Sequence, residues 1–140
     1  MSSKRMAART KRILIAEPTP STRQAIESIL SSAGYEVVAG AADGGQTIEL
    51  HVTHHPDLLL MQTGLPGMDG FAAAKLVRAF DPQVAIVLYG RSGSDDPEHT
   101  ECRAIAAGAN LFIRDATAPE SLLSGIGGLT RMRTDDRGNA

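Results

Sequence analysis

The sequence predicts a doubly wound α/β domain: a five-stranded parallel sheet with five helices around it. Short apolar runs of strand character alternate five times with segments of helical periodicity, within about 115 residues. The run Leu58-Leu59-Leu60-Met61 does not alternate polar with apolar, as expected of a strand covered by helices on both faces. Glycines and prolines punctuate the joints between these segments.

Residues 13–16 form the first expected strand. Thr19-Pro20 then offers an N-cap followed by proline at the first helical position. Ile26, Ile29, Leu30 and Ala33 recur on one helix face, and Gly34 ends that helix. Residues 36–41 are the second strand, Asp43-Gly44-Gly45 reads as a turn, and a weak helix covers 46–54. Residues 57–62 are the third strand, with a loop at 65–70 and a helix over 71–80. The fourth strand is 84–89, followed by a polar loop at 91–97. A helix at 98–107 has Cys102 and Ile105 expected on its inner face, and Gly108 stops it. Residues 111–114 are the last strand and 119–125 the last helix. Gly125, Gly127 and Gly128 weaken that helix, each costing about 1 kcal/mol against alanine in a helix interior.

With 140 residues, 42% of them hydrophobic and 21% charged, the chain has the composition of one ordinary globular domain. Its apolar runs are too short to span a membrane, and no apolar stretch follows the basic start as a secretory signal would need. A lone Cys102 cannot form an internal disulfide, so a reducing, cytoplasmic setting is expected. Residues 1–12 hold five bases and no acid, whereas 13–129 hold six bases and fourteen acids, a net −8. A body this acidic repels phosphate backbones, which argues against nucleic-acid binding. The expected organisation is a disordered basic head at 1–11, a domain at 12–129 and a disordered tail at 130–140.

One set of motifs points to a family. Ile13-Leu14-Ile15-Ala16-Glu17, Pro20, Ala33-Gly34-Tyr35, Ala42-Asp43-Gly44, Pro56-Asp57-Leu58, Leu65-Pro66-Gly67-Met68-Asp69-Gly70, Ala107-Gly108-Ala109 and Pro119-Glu120 together resemble the receiver domains of two-component signalling. The resemblance runs in register over 12–129, and the loop 65–70 is its most specific piece. It implies the flavodoxin-like strand order 2-1-3-4-5, with the site at the carboxyl ends of the strands.

Receivers accept a phosphoryl group on an aspartate at the end of the third strand, with Mg²⁺ held by oxygen ligands. Here the resemblance places Gln62 at the phosphoacceptor position, and a neutral amide is a poor nucleophile. The family's acidic pair after the first strand falls on Glu17-Pro18, so one carboxyl group remains. The Ser/Thr position falls on Tyr89 or, with no gap after the third helix, on Gly90. The lysine position is Asp115 when counted without gaps from Gly108, and Arg114 with a shift of one residue. Phe112 holds the family's switch aromatic.

The resemblance thus implies a stand-alone pseudo-receiver that binds other proteins without a phosphorylation cycle. Its expected interaction face includes Arg103, Ala106, Phe112 and Ser121, and its expected partner is a kinase, a phosphotransfer protein or a downstream target. A homodimer is compatible with this reading, and no membrane, nucleic acid, cofactor or metal is expected. The rival reading is a small-molecule sensor using the emptied pocket. No Ser/His/Asp set, Walker loop or dinucleotide-binding glycine pattern supports an enzyme. Asp57 reads as a strand-entry residue and Asp69 as an N-cap; Thr63 and Ser92 lie near the pocket without a pattern that favours them. His51, His54 and His55 share a helix face, read as an exposed polar end rather than a metal site, and Cys102 as an inert core thiol.

Overall fold

The computed structural model describes residues 11–90 and 97–139. The elements are β1 (Arg12–Ala16), α1 (Pro20–Ser32), β2 (Glu36–Ala41), α2 (Gly44–His54), β3 (Leu58–Gln62), α3 (Gly70–Phe80), β4 (Ala85–Tyr89), α4 (Pro97–Ala106), β5 (Leu111–Ile113) and α5 (Pro119–Asn139). All neighbouring strands pair in parallel, in the order β2-β1-β3-β4-β5. This is the flavodoxin-like sheet that the resemblance implied. Its register sets Gln62 beside Tyr89 and Leu88 beside Phe112.

Alternate strand residues feed two cores. Leu14, Leu59, Met61, Ile86 and Leu88 pack with Ala73, Ala74 and Val77 of α3 and Ala104 of α4. Ile13, Ile15, Leu58, Leu60 and Val87 pack on the other face with Ile26 and Leu30 of α1 and Leu122 and Ile126 of α5. The leucine run of β3 is buried on both sides for this reason. The first ten residues, expected as part of a disordered head, lie outside the described residues, as do 91–96. Among the described residues, no helix is long and apolar enough to cross a membrane.

Several local expectations need correction. Thr19 and Pro20 start α1 as expected, but the Thr19 side chain makes no cap bond, and Ala33 is exposed at the helix end. The turn expected at 43–45 is already helix: Asp43 caps α2 by accepting from the Gln46 amide. Gly44 serves close packing there, since a Cβ would sit 2.0 Å from the Met68 carbonyl oxygen. In α4 the inner positions are Ala104 and, just past its end, Ala107; Cys102 is exposed and Ile105 is 51% exposed. The alanines bring α4 close to the sheet and turn the larger side chains outward, so Cys102 is not a core thiol. The last helix does not stop near 125. It carries helical backbone to Asn139. Leu122 and Ile126 anchor it, and Gly125 lets it approach β5 so closely that a Cβ would meet Leu111 Cδ2 at 2.9 Å.

Candidate functional site

Parallel strands end on one rim of the sheet, and there the backbone gathers the residues singled out from sequence. Glu17 follows β1, Gln62 ends β3, Tyr89 ends β4 and is followed by Gly90, and Arg114 and Asp115 follow β5. These six, with Thr19, Thr22, Ala116 and Thr117, line a cavity of about 250 Å³. Pro18 is half-exposed and is not on the cavity wall.

Glu17 is the hub, at 1% exposure. Its Oε1 accepts a hydrogen bond from Gln62 Nε2 at 3.0 Å and a short one from the Tyr89 hydroxyl. Its Oε2 accepts from the Thr19 amide at 2.9 Å, and Arg23 donates to the Glu17 carbonyl at 2.6 Å. Tyr89 belongs to the α1/α5 core and is 3% exposed, so its ring fills space while its hydroxyl reaches the hub. Burial first, then the bond to Glu17 and that residue's charge, push the Tyr89 phenol far above the ordinary value, with Arg23 opposing. Neutralisation of Glu17 by Arg91 or Arg114 would mark a filled pocket and a scaffold. Among the described residues a phenol, an amide side chain and a backbone amide meet its side chain instead, while Arg114 is exposed; Arg91 lies outside the described residues.

Asp115 is exposed, and the hydroxyl and then the amide of Thr117 hold its carboxyl below the usual range. Gly90 is buried under the tip of Phe112: a Cβ there would lie 3.3 Å from Phe112 Cζ. Phe112 is half-buried and, with Ser121, lines a second groove of about 410 Å³ between β5 and α5. Ala106 is exposed on α4, and Arg103 turns toward α3, its guanidinium 4.0 Å above the Phe71 ring. Arg103 therefore packs across the α3–α4 junction, while Phe112 and Ser121 share the β5–α5 groove.

The other candidates separate cleanly. Asp57 accepts from the Arg12 amide at the entry of β3, and Asp69 caps α3 by accepting from the Ala72 amide. Thr63 is 8% exposed, its amide bonded to the Tyr89 carbonyl, and Ser92 lies outside the described residues. The three histidines do not form one exposed face. His51 is fully buried with Nε2 2.9 Å from Asp81 Oδ2, and His55 ends α2 in a left-handed conformation at φ 47°. Burial acts to raise the Asp81 carboxyl, but the hydrogen bonds from His51 and the Gln83 amide prevail and lower it. Among the described residues no three His, Cys, Asp or Glu side chains converge as a metal site.

A family model, the response regulator receiver domain, matches residues 13–127. The chain belongs to that family. It is 36% identical to the chemotaxis protein CheY of Bacillus subtilis (strain 168) over 115 residues, 82% of this chain and 93% of that protein. It is also 36% identical over 107 residues to the transcriptional regulatory protein PdtaR of Mycobacterium tuberculosis, covering 76% of this chain and half of the relative's length. Among solved structures, a LuxR-family two-component response regulator from Aurantimonas sp. SI85-9A1 superposes with a TM-score of 0.80 at 27% identity, over 87% of this chain and 86% of that one. This receiver domain is thus a module of two-component signalling, a family whose members interact with kinases and downstream proteins.

Receivers imply Mg²⁺, so the donor set here can be tested against it. Mg²⁺ requires near-octahedral oxygen ligation. In this receiver both Glu17 oxygens already accept protein donors, Gln62 turns its amide nitrogen toward Glu17, and Pro18 has no donor to offer. The residues present do not fit the ion. Sequence reasoning placed Glu17, Gln62 and Tyr89 on one rim without bonding them to one another; the signal available was a phenol directly across β3/β4 from Gln62.

Proposed function

We propose that this receiver works without phosphorylation, as a protein-binding module of two-component signalling with no catalytic activity of its own. The observation that carries the reading is the Glu17 cluster. Gln62 stands where the family resemblance puts the acceptor aspartate, and it donates to the carboxyl group that would otherwise bind metal. An amide at this position is a poor nucleophile. Partner recognition falls to surfaces that need no phosphoryl group, among them the β5–α5 groove with Phe112 and Ser121. The rival reading, a small-molecule sensor, is supported by the cavity beside Glu17 and its threonine-rich wall. The polar groups of Glu17, Gln62 and Tyr89 on its wall are already spent on one another, which favours the scaffold.

The test is intact-mass analysis after incubation with acetyl phosphate and Mg²⁺, paired with affinity capture of partners with and without beryllofluoride. No phosphoryl mass gain and an unchanged set of captured partners support the reading. A stoichiometric mass gain, or capture that depends on beryllofluoride, overturns it.

A further inference from the structure

Four large apolar side chains are exposed among the described residues, and three of them lie on adjacent helices. Val52 on α2 is 53% exposed, and Leu76 and Phe80 on α3 are 44% and 46% exposed. Leu76 and Phe80 are four residues apart and share a helix face. The Phe80 ring stands edge-on to the ring of His51, the residue before Val52, with centroids 5.6 Å apart. Phe80 and Leu76 therefore lie beside the C-terminal half of α2, the half that also carries Val52.

At that same end the chain enters the fold. Arg12 donates through Nη1 to the carbonyls of His54 and His55, at 2.7 and 3.1 Å, which ties the start of β1 to the last turn of α2. Val52 lies about 3 Å along the helix axis from His54. The segment before this anchor reads Met1-Ser2-Ser3-Lys4-Arg5-Met6-Ala7-Ala8-Arg9-Thr10, an apolar triplet flanked by bases. Met6 is six residues from Arg12, a reach of up to about 20 Å. Leu76 is only one helical turn from Phe80. The head is basic and the body carries a net −8, with exposed Glu49 one turn before Val52. A short tether also holds the head at an effective concentration of order millimolar.

We propose that residues 1–10 of this chain fold back and cover the α2/α3 patch, with Met6-Ala7-Ala8 on Val52, Leu76 and Phe80. Met6 is unbranched and adaptable, and suits a shallow patch with no deep pocket. The adjoining bases lie toward the acidic body. The cover is built in cis and does not depend on how the Glu17 cluster is used.

The test uses the full chain with Ser3→Cys carrying a nitroxide and Cys102→Ser removing the exposed native thiol. Paramagnetic broadening is expected at the amides of Val52, Leu76 and Phe80. It should be independent of protein concentration and should fall several-fold when Met6→Asp is added. An unchanged amide spectrum for residues 12–129 serves as the control that this variant keeps the fold. Broadening confined to the residues next to Arg12 overturns the proposal. So does broadening of unlabelled chains mixed with labelled ones, which assigns the patch to a second copy. Broadening that survives Met6→Asp unchanged also overturns it, because the apolar contact is then not what docks the head.

Discussion

Glu17 is 1% exposed and has three donors on its two oxygens, so each donor is a separate lever on stability. Tyr89→Phe keeps the ring and removes one donor from a buried acceptor. The expected loss is about 1–3 kcal/mol, read from urea unfolding. Gln62→Asp replaces a donor with a second acid beside Glu17 and should also lower stability. It should not make the protein label with acetyl phosphate, since Pro18 and the engaged Glu17 still leave no metal site; efficient labelling of that single variant would refute the cluster's role. Tyr89 adds a pH dependence whose sign is fixed. Its folded-state phenol is raised above the ordinary 10.0, so its contribution is complete below about pH 10 and is lost as pH rises further. Tyr89→Phe should flatten the alkaline arm of a stability–pH profile.

Among the elements, α5 offers the sharpest contrast because its glycines differ in surroundings. A Cβ at Gly128 meets nothing within 4 Å, so Gly128→Ala should stabilise by about 0.5–1 kcal/mol through helix propensity alone. A Cβ at Gly125 would press on Leu111 and Ile113, so Gly125→Ala should lower the melting temperature. Opposite signs in two adjacent melts would establish that α5 packs against β5 as described. The connection after α3 hangs on Arg78, which donates to the carbonyls of Val84, Pro82 and Gly108 and to Asn110 Oδ1. Arg78→Lys loses that fork and should cost about 2–3 kcal/mol by denaturant titration. The strands were legible in the sequence because their apolar runs are long relative to their length. The inner face of α4 was not: Ala104 and Ala107 are small, and hydrophobic ranking favours Cys102 and Ile105. His51 was misread for a related reason, since its partner Asp81 is thirty residues away and belongs to another element.

At the scale of the whole molecule, the poor fit of the described rim residues to Mg²⁺ predicts that millimolar Mg²⁺ leaves the melting temperature where a matched salt control puts it. A ligand that binds only the native state would raise it by mass action. The strand order and the gathering of site residues on one rim follow from the alternating pattern and the family resemblance, and both could be read without coordinates. What could not be read was how the rim residues satisfy one another. That depends on side-chain reach across β1, β3 and β4, and on a phenol emerging from the α1/α5 core toward a residue 72 positions earlier.

The same phenol gives the protein an optical signature. With no tryptophan and two tyrosines, its emission on excitation in the tyrosine band comes from Tyr35 and Tyr89. Tyr35 is half-buried, whereas Tyr89 donates its proton to a carboxyl group, an arrangement that drains the excited state of a phenol before it can emit. The folded protein should therefore glow with little more than Tyr35, and brighten as the sheet comes apart. A dim native state that gains intensity in urea, and a Tyr35→Phe variant that is nearly dark until it unfolds, would let the pocket report its own integrity without any added label.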